Sequence, residues 1–185
     1  MHLGTSSFMI RRLVNAGRHF NAVFKSHGLA ANVTTSFLLM GVGDWIAQRI
    51  ERRPRTDWTR TARMACMGFV FGPMNHYWYK LLGERFVGQT WTTVAKKVLC
   101  DQLFYGPLVI CTFYVSMPLV EGQGIKDGVD EVKRKFLPTY KADWTVWPAV
   151  QVLNFRFIPQ HLQALFVNFV TLGWDTYLSY MKFSR

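Results

Sequence analysis

Three stretches of about 20 residues run through this chain almost without charge: "GLAANVTTSFLLMGVGDWIAQ" at 28–48, "ARMACMGFVFGPMNHYWYKLL" at 62–82 and "VLCDQLFYGPLVICTFYVSMPLV" at 98–120. At a helical rise of about 1.5 Å per residue, each is long enough to cross the roughly 30 Å hydrocarbon core of a bilayer. Two shorter apolar stretches follow, at 144–158 and 162–180. They read either as one long element kinked at Pro159 or as a short embedded helix followed by a tilted span. An all-α soluble globule with long buried helices is the competing architecture, but three such runs in 185 residues favour the membrane. The expected fold is therefore an all-α polytopic membrane helix bundle, with about four transmembrane helices plus short amphipathic helices.

Composition supports this only locally. Half the residues are apolar, 16% are aromatic and 18% are charged, yet the mean hydropathy is only +0.06. The runs, not the average, carry the assignment. The net charge of +11 suits nucleic acid, an anionic membrane surface or the negative interior of an organelle. Cys66, Cys100 and Cys111 sit inside apolar runs without paired spacing, which argues against a disulfide framework or a zinc site.

The first 43 residues contain no Asp or Glu but carry Arg11, Arg12, Arg18 and Lys25 among apolar side chains. Residues 1–27 thus read as a basic amphipathic segment, either a mitochondrial targeting sequence or a helix lying on a membrane. Residues 28–185 read as a single membrane domain.

Every apolar run contains something costly to place in lipid. Asp44 and Gln48 lie in the first, His76 in the second, Asp101 and Gln102 in the third, Arg156 with Gln151 and Asn154 in the fourth, Asn168 and Asp175 in the last. An ionised side chain at a helix centre costs about 2.5–3.5 kcal/mol on insertion scales, so such groups face a bundle interior or a water-filled path. Two outcomes stay open: the polar groups pair internally, with Arg156 meeting one of the aspartates, or they line a pore. Gly68 and Gly72, extended by Ala65, form the small-residue stripe that lets membrane helices approach closely. Trp144 and Trp147 suit the interfacial belt, and Pro148 suits a helix start. No metal-ligand spacing, phosphate loop or nucleophile–base arrangement stands out, so the chain reads as non-enzymatic, without a cofactor or an identifiable small-molecule substrate.

At "ADWTVWPAVQVLNFRFIP" and "VNFVTLGWDTYLSY" the chain resembles the Mpv-seventeen / twenty-two-kilodalton peroxisomal membrane protein family. The pattern falls on Trp144, Trp147, Pro148, Gln151, Asn154, Phe155, Pro159, Trp174, Tyr177, Leu178 and Ser179, with earlier matches at Gly43-Asp44, "GPMNHYWY" and "KKVLCDQLFYGP". Gln163 stands where the family pattern has an arginine. Within the family the sequence is most similar to the Mpv-seventeen-like protein two branch. That resemblance implies a mitochondrial inner-membrane protein that supports ribosome assembly and translation in the organelle. Other branches imply a non-selective channel or a peroxisomal location. For the ribosome role the basic candidates are Arg52, Arg53 and Arg55 in "RIERRPRTDWTR", with Lys133, Arg134 and Lys135; the competing reading is that such loops only set topology. Expected partners are the lipid bilayer, a mitochondrial ribosomal subunit and further copies of the chain.

Overall fold

A computed structural model describes residue 22 and residues 26–183; the expected targeting segment, residues 1–27, falls almost wholly outside them. The described chain is all α-helical. It comprises α1 (Gly28–Ile50), α2 (Trp58–Cys66), α3 (Gly68–Arg85), α4 (Trp91–Cys100), a π-helical turn (Asp101–Tyr105), α5 (Gly106–Val120), α6 (Ile125–Phe157) and α7 (Gln160–Phe183).

Several helices turn polar residues inward, beside a buried core of Met, Phe, Tyr and Trp side chains, and leave many large apolar ones exposed. On α1, Asn32, Ser36, Met40, Gly43, Asp44, Ala47 and Gln48 recur at helical spacing on the buried face, while Leu29, Leu38, Val42 and Trp45 point outward. Phe69, Phe104, Leu153 and Phe169 are likewise exposed, and Gln102, Gln151, Asn154, Asn168 and Asp175 are buried. Water would select the reverse arrangement; hydrocarbon selects this one. Among the described residues, two stretches are fit by length and composition to cross a bilayer, α1 and the continuous Trp91–Val120, fewer than the four expected.

Close contacts fix the directions. Gly68 lies against the backbone of Phe37, and a Cβ at Gly72 would stand 2.5 Å from the Cα of Val33, so α3 runs antiparallel to α1. Only a missing side chain permits that approach. Ser36 meets Asn168 and Asp44 meets Ser179, so α7 runs parallel to α1. Gly128 lies against the backbone of Val115 and Gln151 bonds the carboxylate of Asp101, so α6 runs antiparallel to α4–α5.

Three expectations change in detail. The 62–82 stretch is not one helix: it breaks at Met67, where the N–H bonds Met64 O in a tighter turn and the chain redirects to seat Gly68 on α1. The stretches at 144–158 and 162–180 are not one kinked element, because the chain reverses at extended Ile158 and Pro159, and Trp147 packs edge-on to Trp174 at 6.0 Å. Pro148 does not start a helix. It lies deep inside α6, whose 33 residues fuse the amphipathic connector with the fourth apolar stretch. At about 50 Å, α6 is longer than the bilayer core is thick, so its charged first half extends beyond it.

Candidate functional site

The interior polar residues form two groups that differ in how fully they are satisfied. The first lies where α1 ends. Asp44 accepts four hydrogen bonds: from Arg60 Nε at 2.7 Å and Ser179 Oγ at 2.6 Å on one oxygen, from Gln48 Nε2 and Thr61 Oγ1, each at 2.7 Å, on the other. Arg60 also donates to both oxygens of Glu51 at 2.8 Å and to Ser179 Oγ at 2.9 Å. The guanidinium therefore bridges two carboxylates from one fixed fork. Gln48 Oε1 takes the N–H of Asp57 at 2.6 Å, and Asp57 in turn caps α2 through the N–H of Arg60. Hydrogen bonds from Arg60, with Arg53 adding to them, hold the Glu51 carboxyl below the usual carboxylate range.

This cluster pins the 51–57 loop. Arg53 N–H reaches back to Gln48 O at 3.3 Å, and Arg52 sits in the left-handed region at φ 53°, a conformation a non-glycine residue keeps only when its surroundings impose it. Arg52, Arg53 and Arg55 all project to the surface, with Arg53 Nε on Glu51 at 2.7 Å. At the same end of the bundle, Lys133 and Arg134 are exposed, Lys133 against Asp130 at 2.9 Å. Lys135 differs from its expected role. Its Nζ bonds the carbonyls of Met181 and Lys182 at 2.8 and 2.6 Å, closing the C-terminal turn of α7.

The second group surrounds a cavity of about 60 Å³ in mid-bundle, lined among others by Asn75, Tyr79, Asp101, Tyr105, Asp143 and Asp175. At about 10–15 Å³ for each water, that is room for roughly four to six. Asp101 accepts from Trp78 Nε1 at 2.8 Å and Gln151 Nε2 at 2.9 Å. Gln151 also donates to Tyr79 and accepts from Asn154, and Tyr105 donates to Asn75 at 2.6 Å. One oxygen each of Asp143 and Asp175, and the amide nitrogen of Asn168, are buried with no partner. The π-helical turn beginning at Asp101 helps place these groups. Pro107 follows it and lacks the N–H a regular helix would use, and such turns concentrate at functional sites.

Sequence reasoning placed Asp44, Gln48, Asp101 and Gln102 in the interior, where all four lie buried. His76 is elsewhere, half-buried beside Asn32. Arg156 meets no aspartate: its guanidinium lies over the Trp91 and Phe157 rings at 5.3 and 5.8 Å. The missed partner of Asp44 was Arg60, which sits in a connector where a cation reads as solvated. Asp143 was missed for the same reason. Of the signature, Gln151 and Asn154 join the cavity network, Ser179 the ionic cluster, Trp147 and Trp174 pack edge to face, and Phe155 fills the core against Tyr79 at 6.0 Å. Among the described residues, no group of three or more His, Cys, Asp or Glu is placed to hold a metal ion.

Comparison with known proteins matches residues 118–179 to the Mpv17 / PMP22 family model. Protein SYM1 of Gibberella zeae is 40% identical over 160 residues, covering 83% of this chain and 89% of the relative. Protein sym-1 of Neurospora crassa is 35% identical over 88% of this chain and 96% of its own length. PXMP2/4 family protein 2 of Dictyostelium discoideum is 30% identical, over 86% and 87% respectively. No solved structure matches.

Proposed function

This chain is a membrane protein of the Mpv17 / PMP22 family, and we propose that it is a non-enzymatic assembly factor of the mitochondrial inner membrane that engages the mitochondrial ribosome. About four spans would embed it, the polar helices carried by their outward apolar faces. The observation that carries the reading is the arginine loop. Arg52, Arg53 and Arg55 stand on a segment locked by Glu51–Arg60–Asp44 and Gln48–Asp57, beside exposed Lys133 and Arg134. Preorganised cations bind a polyanion without the ordering cost a floppy loop incurs. The relatives' SYM1 and PXMP2/4 names leave mitochondrion and peroxisome both in play; the Arg-bearing, acid-free N-terminal sequence favours the former.

The test is gradient sedimentation of gently solubilised mitochondria carrying the wild-type chain or a variant with Arg52, Arg53 and Arg55 changed to Gln. Co-migration with a ribosomal subunit that the variant loses supports the reading; a protein that stays in light membrane fractions in both cases refutes it.

The cavity favours a second reading, a channel for small solutes across the same membrane or the peroxisomal one. Asp143 and Asp175 present unpartnered carboxylate oxygens in mid-bundle, and internal packing alone gives no reason to keep them. Flux through reconstituted vesicles that responds to Asp175→Asn would support it.

A further inference from the structure

At the end of the bundle opposite the arginine loop, a cleft of about 780 Å³ opens between the starts of α1 and α7 and the last turns of α3. It is separate from both sites above. His27, Asn32, His76, Lys80, Gln160 and His161 supply polar lining, and no Asp or Glu lies among the described residues around it. Two long helices begin there, with no acidic residue in either first turn and no side-chain cap on α1. Their dipoles add positive potential to that of Lys80.

A separate observation points to a ligand. Asn32 is only 2% exposed and lines the cleft with an amide oxygen that has no partner. Its amide nitrogen stands 3.2 Å from His76 Nδ1. Amide and imidazole exchange roles by a flip. With His76 Nδ1–H donating to the Asn32 oxygen, the NH₂ group turns into the cleft as a donor. The walls are held in place by close approaches: a Cβ at Gly28 would stand 3.2 Å from His76 Cε1, and one at Gly83 would overlap the Gln160 amide. Lys80 and His161 are thereby carried on helices packed tightly against one another.

We propose that this cleft binds a phosphate group, with Lys80 supplying the charge, Asn32 and His161 the hydrogen-bonding groups, and His76 orienting the Asn32 amide. The phosphate comes either from a free phosphorylated solute or from the headgroup of an anionic phospholipid, which would enter from the bilayer beside α1 and α7. The proposal stands apart from the ribosome and channel readings, because neither the arginine loop nor the mid-bundle acids Asp143 and Asp175 line the cleft.

The experiment uses the purified full chain and two variants: Lys80→Gln/His161→Gln in the cleft and Lys126→Gln, an exposed lysine at the far end. Thermal stabilisation by inorganic phosphate and pyrophosphate is measured against chloride at matched ionic strength. Native mass spectrometry reads retained lipid after transfer from phosphatidylcholine nanodiscs with and without phosphatidic acid. Losing a charge-assisted contact weakens binding roughly tenfold or more. Phosphate stabilisation lost only in the cleft variant establishes a soluble ligand. Phosphatidic acid retained by wild type and lost only in that variant establishes a headgroup. Equal behaviour of wild type and cleft variant in both assays, or equal loss in the far-end variant, overturns the proposal.

Discussion

Replacing Arg60 with Met tests the ionic cluster directly. The side chains of Arg60 and Asp44 are 3% and 0% exposed, so the substitution leaves a carboxylate buried opposite an apolar chain. Removing one partner of a buried pair costs about 3–5 kcal/mol. Here Asp44 keeps three donors, Ser179, Gln48 and Thr61, which places the loss near the lower figure, about 3 kcal/mol. For a chain of this size that is a fall of roughly 6–12 °C in melting temperature. Asp44→Asn removes the charge from the other side. The double variant should recover part of the loss, since Met and Asn leave no buried charge unpaired, giving a coupling of at least about 1 kcal/mol. Melting of the detergent-solubilised protein across the four members of the cycle checks this. Strictly additive single effects, or an Arg60→Met melting temperature within about 2 °C of wild type, would show that the cluster does not hold α1, α2 and α7 together.

Because Arg60 and Arg53 depress the Glu51 carboxyl, its contribution to stability is present above the unfolded value of about 4.3 and is lost as pH falls through the lower folded value. Melting temperature should therefore drop below about pH 4, and Glu51→Gln should remove part of that slope; a slope unchanged in the variant contradicts the assignment. Gly68→Val forces a side chain into the backbone of Phe37 and should cost about 3 kcal/mol or more, read as lost monodisperse protein on size-exclusion chromatography. Trp147→Ala removes the contact with Trp174 from a site 8% exposed; a loss of about 3–5 kcal/mol is expected in the same melts, against near-neutrality for exposed Trp91→Ala. Asp175→Asn, relieving an unpartnered buried carboxylate, should leave the melting temperature unchanged or raise it, and a clear fall would reveal an unrecognised partner.

The first apolar helix was legible because its length and apolar content match what a bilayer core requires. The first expected stretch, 28–48, differs from α1 by two residues at one end. Helix boundaries set by contact were not legible. Nothing local says that Met67 must turn; the turn follows from Gly68 meeting Phe37, 31 positions away in the sequence. Nor does Pro148 announce that it lies within a helix rather than at its start, because the packed bundle around Trp147 and Gln151 offsets the lost hydrogen bond. Charge pairing failed for a related reason. Arg156 was the cation inside an apolar run, so it was matched with the aspartates, whereas Arg60 lies 16 residues from Asp44 across a hydrophilic turn. A helix end that must bury an acid at its last turn draws its counter-ion from the next connector, and that rule would have found Arg60.

The interior is therefore divided by function as well as by position. Around Asp44 no buried side-chain nitrogen or oxygen lacks a partner, the loop above is fixed, and the arginines on it gain a defined geometry. Around Asp143 and Asp175 the polar groups are buried but incompletely paired, over a cavity that admits only a few waters. A bundle selected solely for cohesion would satisfy the second group as it does the first, or replace it with apolar side chains at no loss of stability. The unpaired acids support the proposed solute path, and the pinned loop bearing Arg52 and Arg55 supports the proposed docking end. The two proposed roles are compatible in one molecule. They predict separable defects: loss of partner binding with an intact fold when the loop is neutralised, and altered permeability with intact partner binding when the cavity acids are.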